Sequence, residues 1–437
     1  MSVDAFLGLK STGDFVTDEM PENWREGVAR FYPNGDAPLT ALTSMMKSSS
    51  VDSPELNWWD KMLPAQSAAL LSSGLYDDAA LGTAYTSAAD ARGTMVYANL
   101  TEANSQQFRA GHQVRLIDAS DYRATTVGKI IQVHKNGNSS YLAVRLLEAA
   151  NYSADPAYGL AGADTVSICG NINPEGGPTP AAITYKPTKY ENKTQIFRSP
   201  LDLTRTAMKT HVRTGDVYKE AKLDALELNS IEIEKALFWS VMSETIGDNG
   251  KPERTMAGLV PLILQYAPNN VKDFQLDTDF SGDSWVQSGE DFLDKMLELI
   301  YRYGKDEKLC LLGSGAMLGI TKLAKTYGNI NLTPRSVAFG LNVVEWIPPG
   351  GGVLYLKRHP LFSYETVNRH SMVIIEPARL EYRYIDDTFF KKDETMREGG
   401  QIGIDGILEE FVTEFCLEYH FIPSFGYLNG IGLDNNL

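Results

Sequence analysis

The longest helical pattern in the sequence runs from Asp216 to about Thr245. Asp216 is suited to accept hydrogen bonds from the first N–H groups of a helix, and Gly247 and the pair Asn249-Gly250 favour its end. About thirty residues span roughly 45 Å, so this segment is predicted to be a rigid strut. Spacings of three, four and seven residues predict two adjoining buried stripes, made of Val217, Ala221, Leu228 and Ile231 and of Leu226, Ile233, Leu237 and Val241.

Alternation of apolar and polar residues, which is typical of half-buried strands, dominates two other regions. From about Gly74 to Ile196, short alternating runs flank the pair Asn136-Gly137, which favours a hairpin turn. We therefore expect a small β module here, and its low apolar content predicts that it projects from the body. Near the end of the sequence, the alternation from Phe411 to Tyr419 predicts a long strand with one buried face.

The rest of the second half of the chain mixes both periods, so the predicted fold class is α+β. Helices are expected at residues 289–303 and 316–327, where apolar residues recur at helical spacing. Strands are expected at residues 308–313, 342–347, 353–357, 372–375 and 379–384.

The segment from Met1 to about Ser73 carries only short patterned pieces separated by prolines. It is nevertheless richer in aromatic residues than a disordered segment, so another surface is expected to cover those rings. An apolar patch that is exposed in isolation marks a partner surface. The candidates for contact with a partner are Trp24, Phe31, Tyr32, Trp58 and Trp59.

The chain of 437 residues has 40 basic and 56 acidic residues, which gives a formal net charge of −16. Its length predicts about three domains. A protein with this charge repels nucleic-acid phosphates unless its cations are concentrated, and no basic run is longer than Lys391-Lys392. Direct binding to nucleic acid is therefore not expected.

Patterns for secretion, membranes and disulfides are also missing from the sequence. The first residues have no basic start followed by an apolar stretch, and no window approaches about 18 consecutive apolar residues. Cys169, Cys310 and Cys416 are an odd number at wide spacing, which favours neither a disulfide framework nor a metal cluster. Synthesis in a reducing cytoplasm is the expectation.

A glycine-rich segment carries the main enzymatic alternative. Gly313, Gly315 and Gly319 follow a predicted buried strand and open a predicted helix, as in turns that place a pyrophosphate at a helix N-terminus. The third glycine falls one position late, and the flanking chain shows no further βαβ units. An α/β nucleotide-binding enzyme is the alternative, and a tight strand-to-helix turn is the simpler interpretation.

The segment from Asp277 to Asp283 resembles the start of a calcium loop, because oxygen-bearing side chains alternate along it. The twelfth position is Ser288 instead of Glu, which favours a solvated acidic turn over a cation site. The six histidines are scattered, and the adjacent carboxylates of Glu409-Glu410 point to opposite faces of a strand. The sequence therefore predicts no catalytic residue, cofactor or metal.

The order of these elements resembles the HK97-like major capsid proteins of tailed double-stranded DNA bacteriophages. The segments Gly35–Thr43 and Leu56–Asp60 are similar to the N-terminal arm of the type in which a β subdomain is inserted in the extended loop. Phe108–Gly111 and the following strands resemble that inserted subdomain, and Thr210–Ala257 resembles the spine-helix region. One departure is Ala37, where a threonine is expected before Pro38.

The resemblance implies a division of the chain into structural parts. Residues 1–73 are the arm and residues 74–196 the extended loop with its insertion. The peripheral domain comprises residues 197–255, with a spine helix at 216–245, and residues 371–437. The axial domain comprises residues 256–370.

The resemblance also implies the function and the partners. Copies of the chain are expected to assemble into pentamers and hexamers and to form an icosahedral head that encloses double-stranded DNA without sequence-specific binding. Scaffolding, portal and decoration proteins are the other expected partners, and no membrane is expected. The expected location is the virion, after assembly in the cytoplasm of the host bacterium.

Overall fold

A computed structural model describes residues 46–71, 74–86, 90–119, 125–149, 160–210, 216–327, 332–338, 341–348, 351–392 and 405–437. These residues fold into two compact units, which confirms the predicted mixture of helices and strands. One unit spans Trp59–Thr188, and the other comprises the rest of the described chain. No helix in the described ranges combines the length and the apolar content that a membrane crossing requires.

The unit Trp59–Thr188 is built on a seven-stranded sheet with the order β3-β9-β6-β7-β8-β5-β4. Its core consists of alternate strand residues, among them Val96, Leu116, Ile130 and Val144, all of which are fully buried. Its elements are β3 Ser67–Ala69, β4 Leu75–Tyr76, β5 Met95–Leu100, α1 Glu102–Ser105, β6 His112–Ile117, β7 Thr125–His134, β8 Ser140–Leu146 and β9 Thr165–Asn171.

The unit Trp59–Thr188 overlaps most of residues 74–196, where the sequence predicts a small β module. The unit begins before residue 74 because β3 pairs with β9, and it ends before residue 196. The Asn136-Gly137 pair does lie between two antiparallel strands, β7 and β8. Gly137 has a φ of +53°, a conformation that glycine adopts without steric cost.

The second unit contains two sheets that share one hydrophobic core with helices. The first sheet has the strand order β1-β20-β21-β11 and the second has the order β14-β22-β19-β15-β18-β17-β16. Two further two-stranded sheets are formed by β2 with β10 and by β12 with β13. The strands of this unit up to β15 are β1 Lys47–Ser50, β2 Glu55–Asp60, β10 Thr188–Lys193, β11 Gln195–Thr204, β12 Ser243–Ile246, β13 Pro252–Thr255, β14 Val271–Asp273 and β15 Glu307–Leu312.

Beyond residue 285 the predicted helices and strands are present within a few residues of their expected limits, except that the strand predicted at residues 379–384 continues to Lys391. The later strands are β16 Leu332–Ala338, β17 Leu341–Trp346, β18 Val353–Arg358, β19 Met372–Ile375, β20 Leu380–Lys391, β21 Gly406–Tyr419 and β22 Gly426–Asn429. The helices are α2 Arg205–Lys209, α3 Val217–Trp239, α4 Leu259–Tyr266, α5 Trp285–Tyr301, α6 Ser314–Tyr327 and α7 Pro360–Tyr364. The strands β16 and β22 and the helix α7 were not predicted.

Strand β21 follows the predicted alternation as far as Phe415, but from Phe415 to Tyr419 the residues of both faces are buried. Phe411, Thr413 and Phe415 are buried on one face, and they lie between β11 and β20 in antiparallel register. Glu409 and Glu410 point to opposite sides, as expected for adjacent residues of a strand. The carboxylate of Glu409 accepts a hydrogen bond from the Tyr218 hydroxyl at 2.6 Å, while that of Glu410 pairs with Arg198.

The long helix α3 is shorter than predicted. It begins at Val217 after Asp216, whose carboxylate accepts from the N–H groups of Tyr218 and Lys219, as the sequence indicates. It ends at Trp239, because residues 243–255 form the β12–β13 hairpin with Asn249-Gly250 in its turn. The Asn-Gly pair favours a hairpin as strongly as a helix end. At about 1.5 Å per residue, the 23 residues span roughly 35 Å.

The buried face of α3 also differs from the predicted stripes. Ile233 and Leu237 are buried as expected, together with Ala225, Asn229, Glu234 and Phe238. Leu226, Leu228 and Val241 are exposed, so the prediction for these three residues was wrong. Helical spacing identifies apolar faces, but it does not distinguish a face that packs within the chain from one that stays uncovered.

Lys308 is fully buried in β15, where its ammonium group donates to the carbonyl oxygens of Tyr303 at 3.0 Å and Ser424 at 2.9 Å. Burial lowers the pKa of Lys308 to about 8, because the charged form loses its hydration. In the unfolded chain the pKa returns to 10.5. The unfolded state therefore binds more protons between these two pH values, and folding stability rises with pH across that window.

We expect Lys308→Met to remove this pH dependence. Between about pH 7 and pH 10.5, wild type should gain about 3 kcal/mol of unfolding free energy relative to the variant. Urea unfolding of both proteins at each pH measures the difference. A difference that stays constant with pH contradicts the assignment.

Candidate subunit-interface surfaces

The five aromatic residues predicted to contact a partner have different positions. Trp24, Phe31 and Tyr32 lie outside the described residues. Trp58 and Trp59 are adjacent on β2, so their side chains point to opposite faces of the strand. The structure buries the first and exposes the second, with 6% and 61% of their surfaces accessible.

Trp58 belongs to the core of its own chain, which corrects the expectation that a partner covers it. Its indole Nε1 donates to the carbonyl oxygen of Tyr419 at 2.8 Å. Its ring packs edge-on against the Tyr419 ring, with centroids 4.7 Å apart, and it stacks on Tyr190 at 6.3 Å. The end of β21 therefore provides the apolar cover that the sequence pattern attributes to another molecule.

Trp59 begins an exposed apolar segment, which we call the Trp59 patch and define as Trp59, Met62 and Leu63. Their accessible fractions are 61%, 44% and 77%. All three belong to the unit Trp59–Thr188. Large apolar side chains this exposed and this close in sequence are typical of a surface that a partner covers.

Other exposed apolar residues were not identified by the sequence patterns as surface residues. On α3 they are Leu223, Leu226 and Leu228, and beside the β12–β13 hairpin they are Val241 and Ile246. Ile246 is 82% exposed at the end of β12. No sequence signal separates these residues from core residues, because hydrophobicity and spacing are the same in both cases.

The glycine-rich turn is filled by the chain itself, which contradicts the nucleotide-binding alternative. A Cβ on Gly315 would lie 2.5 Å from the His370 ring, and one on Gly313 would lie 2.3 Å from the Arg369 carbonyl oxygen. A Cβ on Gly319 would lie 2.6 Å from Cα of Gly432. The glycines thus allow close packing of α6 against its neighbours, and this packing accounts for them without a bound nucleotide.

The acidic turn from Asp277 to Asp283 is closed by a side-chain amide. Asn435 is buried, and its Nδ2 donates to the carbonyl oxygens of Phe274 and Asp277, both at 2.8 Å. The Lys295 ammonium pairs with Asp279 and holds the pKa of that carboxyl below its ordinary value. Among the described residues, no group of three or more His, Cys, Asp or Glu side chains is arranged to hold a metal ion.

A buried histidine pairs with a carboxylate. His359 Nε2 lies 2.5 Å from Glu234 Oε1, and both side chains are buried, with 3% and 1% of their surfaces accessible. An acid and an imidazole at this distance are capable of proton transfer in an open site. Here the pair lies against the Phe238 and Phe362 rings, so a substrate has no access to it.

Comparison with protein families matches residues 11–432 to the family described as SU10 major capsid protein. A curated relative is the major capsid protein of Pseudomonas phage PaMx41, which is 24% identical over 376 residues. The match covers 86% of this chain and 81% of that protein.

Similar solved structures include a protein of Microbacterium phage Oxtober96 and the capsid of Myoviridae phage XM1. The first has a TM-score of 0.44 at 12% identity and covers 96% of this chain and 98% of that chain. The second has a TM-score of 0.36 at 12% identity, with coverages of 60% and 81%.

The two neighbouring tryptophans provide a stability test. Trp58→Ala is expected to lower the free energy of unfolding by about 3–5 kcal/mol, because it leaves a cavity and an unpaired Tyr419 carbonyl. Trp59→Ala is the matched control and is expected to change it by no more than about 0.5 kcal/mol. Urea unfolding of the unassembled subunit measures both values. Equal effects would contradict the assignment of Trp58 to the core.

Close packing of the glycines gives a second test. Gly319→Ala is expected to destabilise the subunit by about 1–3 kcal/mol, although alanine favours helices, because the added methyl group meets Gly432. Gly170→Ala is the control, since its Cβ would meet its nearest neighbour at an ordinary 3.5 Å. Thermal unfolding compares the two variants, and a stabilised Gly319→Ala variant would argue for open space at this turn.

Proposed function

Since this chain belongs to the SU10 major capsid protein family and is a major capsid protein of a phage, we propose how its parts act in the shell. Copies of the chain assemble into pentamers and hexamers, and these form an icosahedral head around double-stranded DNA. The observation that carries this proposal is the family match over nearly the whole chain. The virion is the protein's location, and assembly takes place in the cytoplasm of the host bacterium.

We propose that the long helix α3 and the sheet β1-β20-β21-β11 act together as the stiff part of the subunit. Within the sheet the rings of Phe197 and Phe415 stack at 5.5 Å, and both residues share a core with Ile233 and Leu237 of α3. The Tyr218–Glu409 hydrogen bond also joins α3 to β21. In the predicted division α3, β20, β21 and most of β11 belong to the peripheral domain, β1 belongs to the arm, and residues 256–370 form the axial domain. A stiff unit transmits the geometry of one contact to the next, as a closed shell requires.

The Trp59 patch is proposed as a contact between copies. Tryptophan is the residue most enriched among those that dominate binding energy at protein interfaces, and leucine and methionine add apolar area around it. Trp24, Phe31 and Tyr32 of the arm remain proposed contacts of the same kind. Trp58 is excluded from this set because its own chain covers it.

We propose that the head encloses the DNA without binding it directly. A net charge of −16 per chain repels phosphates, so the shell wall and the genome stay apart electrostatically. Scaffolding, portal and decoration proteins are proposed as further partners. The proposal contains no catalytic step and no cofactor.

Electron microscopy of the purified protein tests the assembly itself. Expressed alone and together with the other head proteins of its phage, the chain is expected to form closed shells of uniform diameter. Monomers that remain inert under both conditions would overturn the proposed function.

Disruption of the Trp59 patch tests its role. The double variant Trp59→Ser, Leu63→Ser is expected to raise the critical concentration for assembly by about tenfold or more, since each tenfold corresponds to only about 1.4 kcal/mol of lost contact energy. Light scattering across a dilution series measures that concentration.

Trp59→Phe is the matched control, because it keeps an aromatic apolar ring at the same position. It is expected to assemble within about threefold of wild type. The thermal unfolding temperatures of the unassembled variants should all match wild type, which separates lost contact from lost folding. Unchanged assembly of the serine variant would remove the patch from the interface.

A further inference from the structure

The buried pair Glu234 and His359 joins the long helix α3 to the corner between β18 and α7. Glu234 lies in the C-terminal half of α3, and His359 caps the start of α7. The Glu234 Oε1 and His359 Nε2 atoms are 2.5 Å apart. Besides this bond, the backbone N–H of His359 donates to Leu312 in β15, so the imidazole is anchored to the central sheet of the body.

Burial of the polar Glu234 and His359 side chains costs free energy, because both lose their hydration. The rings of Phe238 and Phe362 lie 5.1 Å and 5.4 Å from the His359 ring, which makes the surroundings apolar. Glu234 Oε2 and His359 Nδ1 are both buried and have no hydrogen-bond partner within the described part of the chain. An apolar pair of similar volume usually gives equal or greater stability at such a place. Stability alone therefore does not account for these two residues.

A short hydrogen bond is more specific in its geometry than an apolar contact. It forms only when α3 lies at one position along the body, because any other position leaves the Glu234 carboxylate and the His359 imidazole buried and unpaired. The neighbouring contact of Trp239 with Phe362, at a centroid distance of 5.2 Å, is apolar and tolerates small shifts.

Toward its N-terminus α3 has few buried residues. From Val217 to Asn229 they are Ala225 and Asn229, whereas Leu223, Leu226 and Leu228 are exposed. Asn229 accepts a hydrogen bond from the Ser199 hydroxyl of β11 at 3.3 Å, and the Tyr218 hydroxyl donates to Glu409 of β21. These contacts orient the helix against the first sheet. The Glu234–His359 bond is the corresponding contact with the second sheet.

We propose that Glu234 and His359 are positioning residues for assembly: their bond fixes the angle between the long helix and the body, and that angle sets a single shell size. This inference rests on the proposed shell function. In a closed shell of identical chains, a small spread in the angle within each subunit produces a spread in curvature and hence in diameter.

The test compares two double variants that alter the same pair of elements. Glu234→Leu, His359→Leu replaces the buried bond by apolar contact. Lys235→Met, Glu365→Met is the matched control, because Lys235 and Glu365 form an exposed ion pair of 3.9 Å between α3 and the residue after α7. Glu234→Gln is the conservative variant, since its amide still forms a hydrogen bond with the imidazole.

Cryo-electron microscopy and mass measurement of single particles give the distribution of shell sizes. The Leu–Leu variant is expected to have a melting temperature equal to or above that of wild type, with a spread in diameter at least about twofold wider. The control and Glu234→Gln are expected to keep the wild-type spread.

The outcomes separate this inference from the function on which it rests. If wild type forms no shells at all, the proposed function fails. If wild type forms shells and the Leu–Leu variant forms equally uniform ones, the positioning role fails. The role also fails if the exposed control widens the distribution as much as the buried variant, or if the spread widens only together with a lower melting temperature.

Discussion

The second unit depends on the burial of one face of β21. This 14-residue strand buries alternate side chains up to Phe415 and every side chain from there to Tyr419, and both of its neighbours, β11 and β20, pair with it over most of its length. Tyr419 at its end receives Trp58, and Phe415 in its middle stacks between Phe197 and Tyr382. A strand with period-two alternation has only one register that buries this whole set, so β21 determines where its sheet and α3 meet.

This dependence explains which parts of the fold the sequence could predict. Alternation along Phe411–Tyr419 and the buried run at Leu309–Leu312 are local signals with one physical interpretation, and both strands appear where expected. The end of the long helix had two interpretations, because Asn249-Gly250 suits a helix stop and a hairpin turn equally well. Contacts distant in sequence decided between them: the Gly258 N–H donates to the Ser240 carbonyl and turns the chain away after Trp239.

The candidate interface shows the same limit more sharply. Trp58 and Trp59 are identical side chains at adjacent positions, and only the location of β21, more than 350 residues away, decides which one is buried. The leucines of α3 have the spacing of a core stripe and lie at the surface. In a chain that assembles with copies of itself, the hydrophobic pattern predicts which residues are covered in the assembly. It does not predict whether the same subunit or a neighbouring subunit covers them.

The amide of Asn435 illustrates a consequence of long-range closure for synthesis. Asn435 donates to the carbonyl oxygen of Phe274, which lies 161 residues earlier in the chain. Asp434, the residue before Asn435, accepts a hydrogen bond from the backbone N–H of Trp285 at the start of α5. During synthesis on a ribosome, these hydrogen bonds of the loop that contains Phe274 and of the start of α5 therefore cannot form until more than a third of the polypeptide has been translated after them. A prematurely terminated chain lacks Asp434 and Asn435 and therefore lacks the hydrogen bonds that hold this loop and the start of α5. Such a subunit is not only shorter but also has a specific loop without its stabilising contacts.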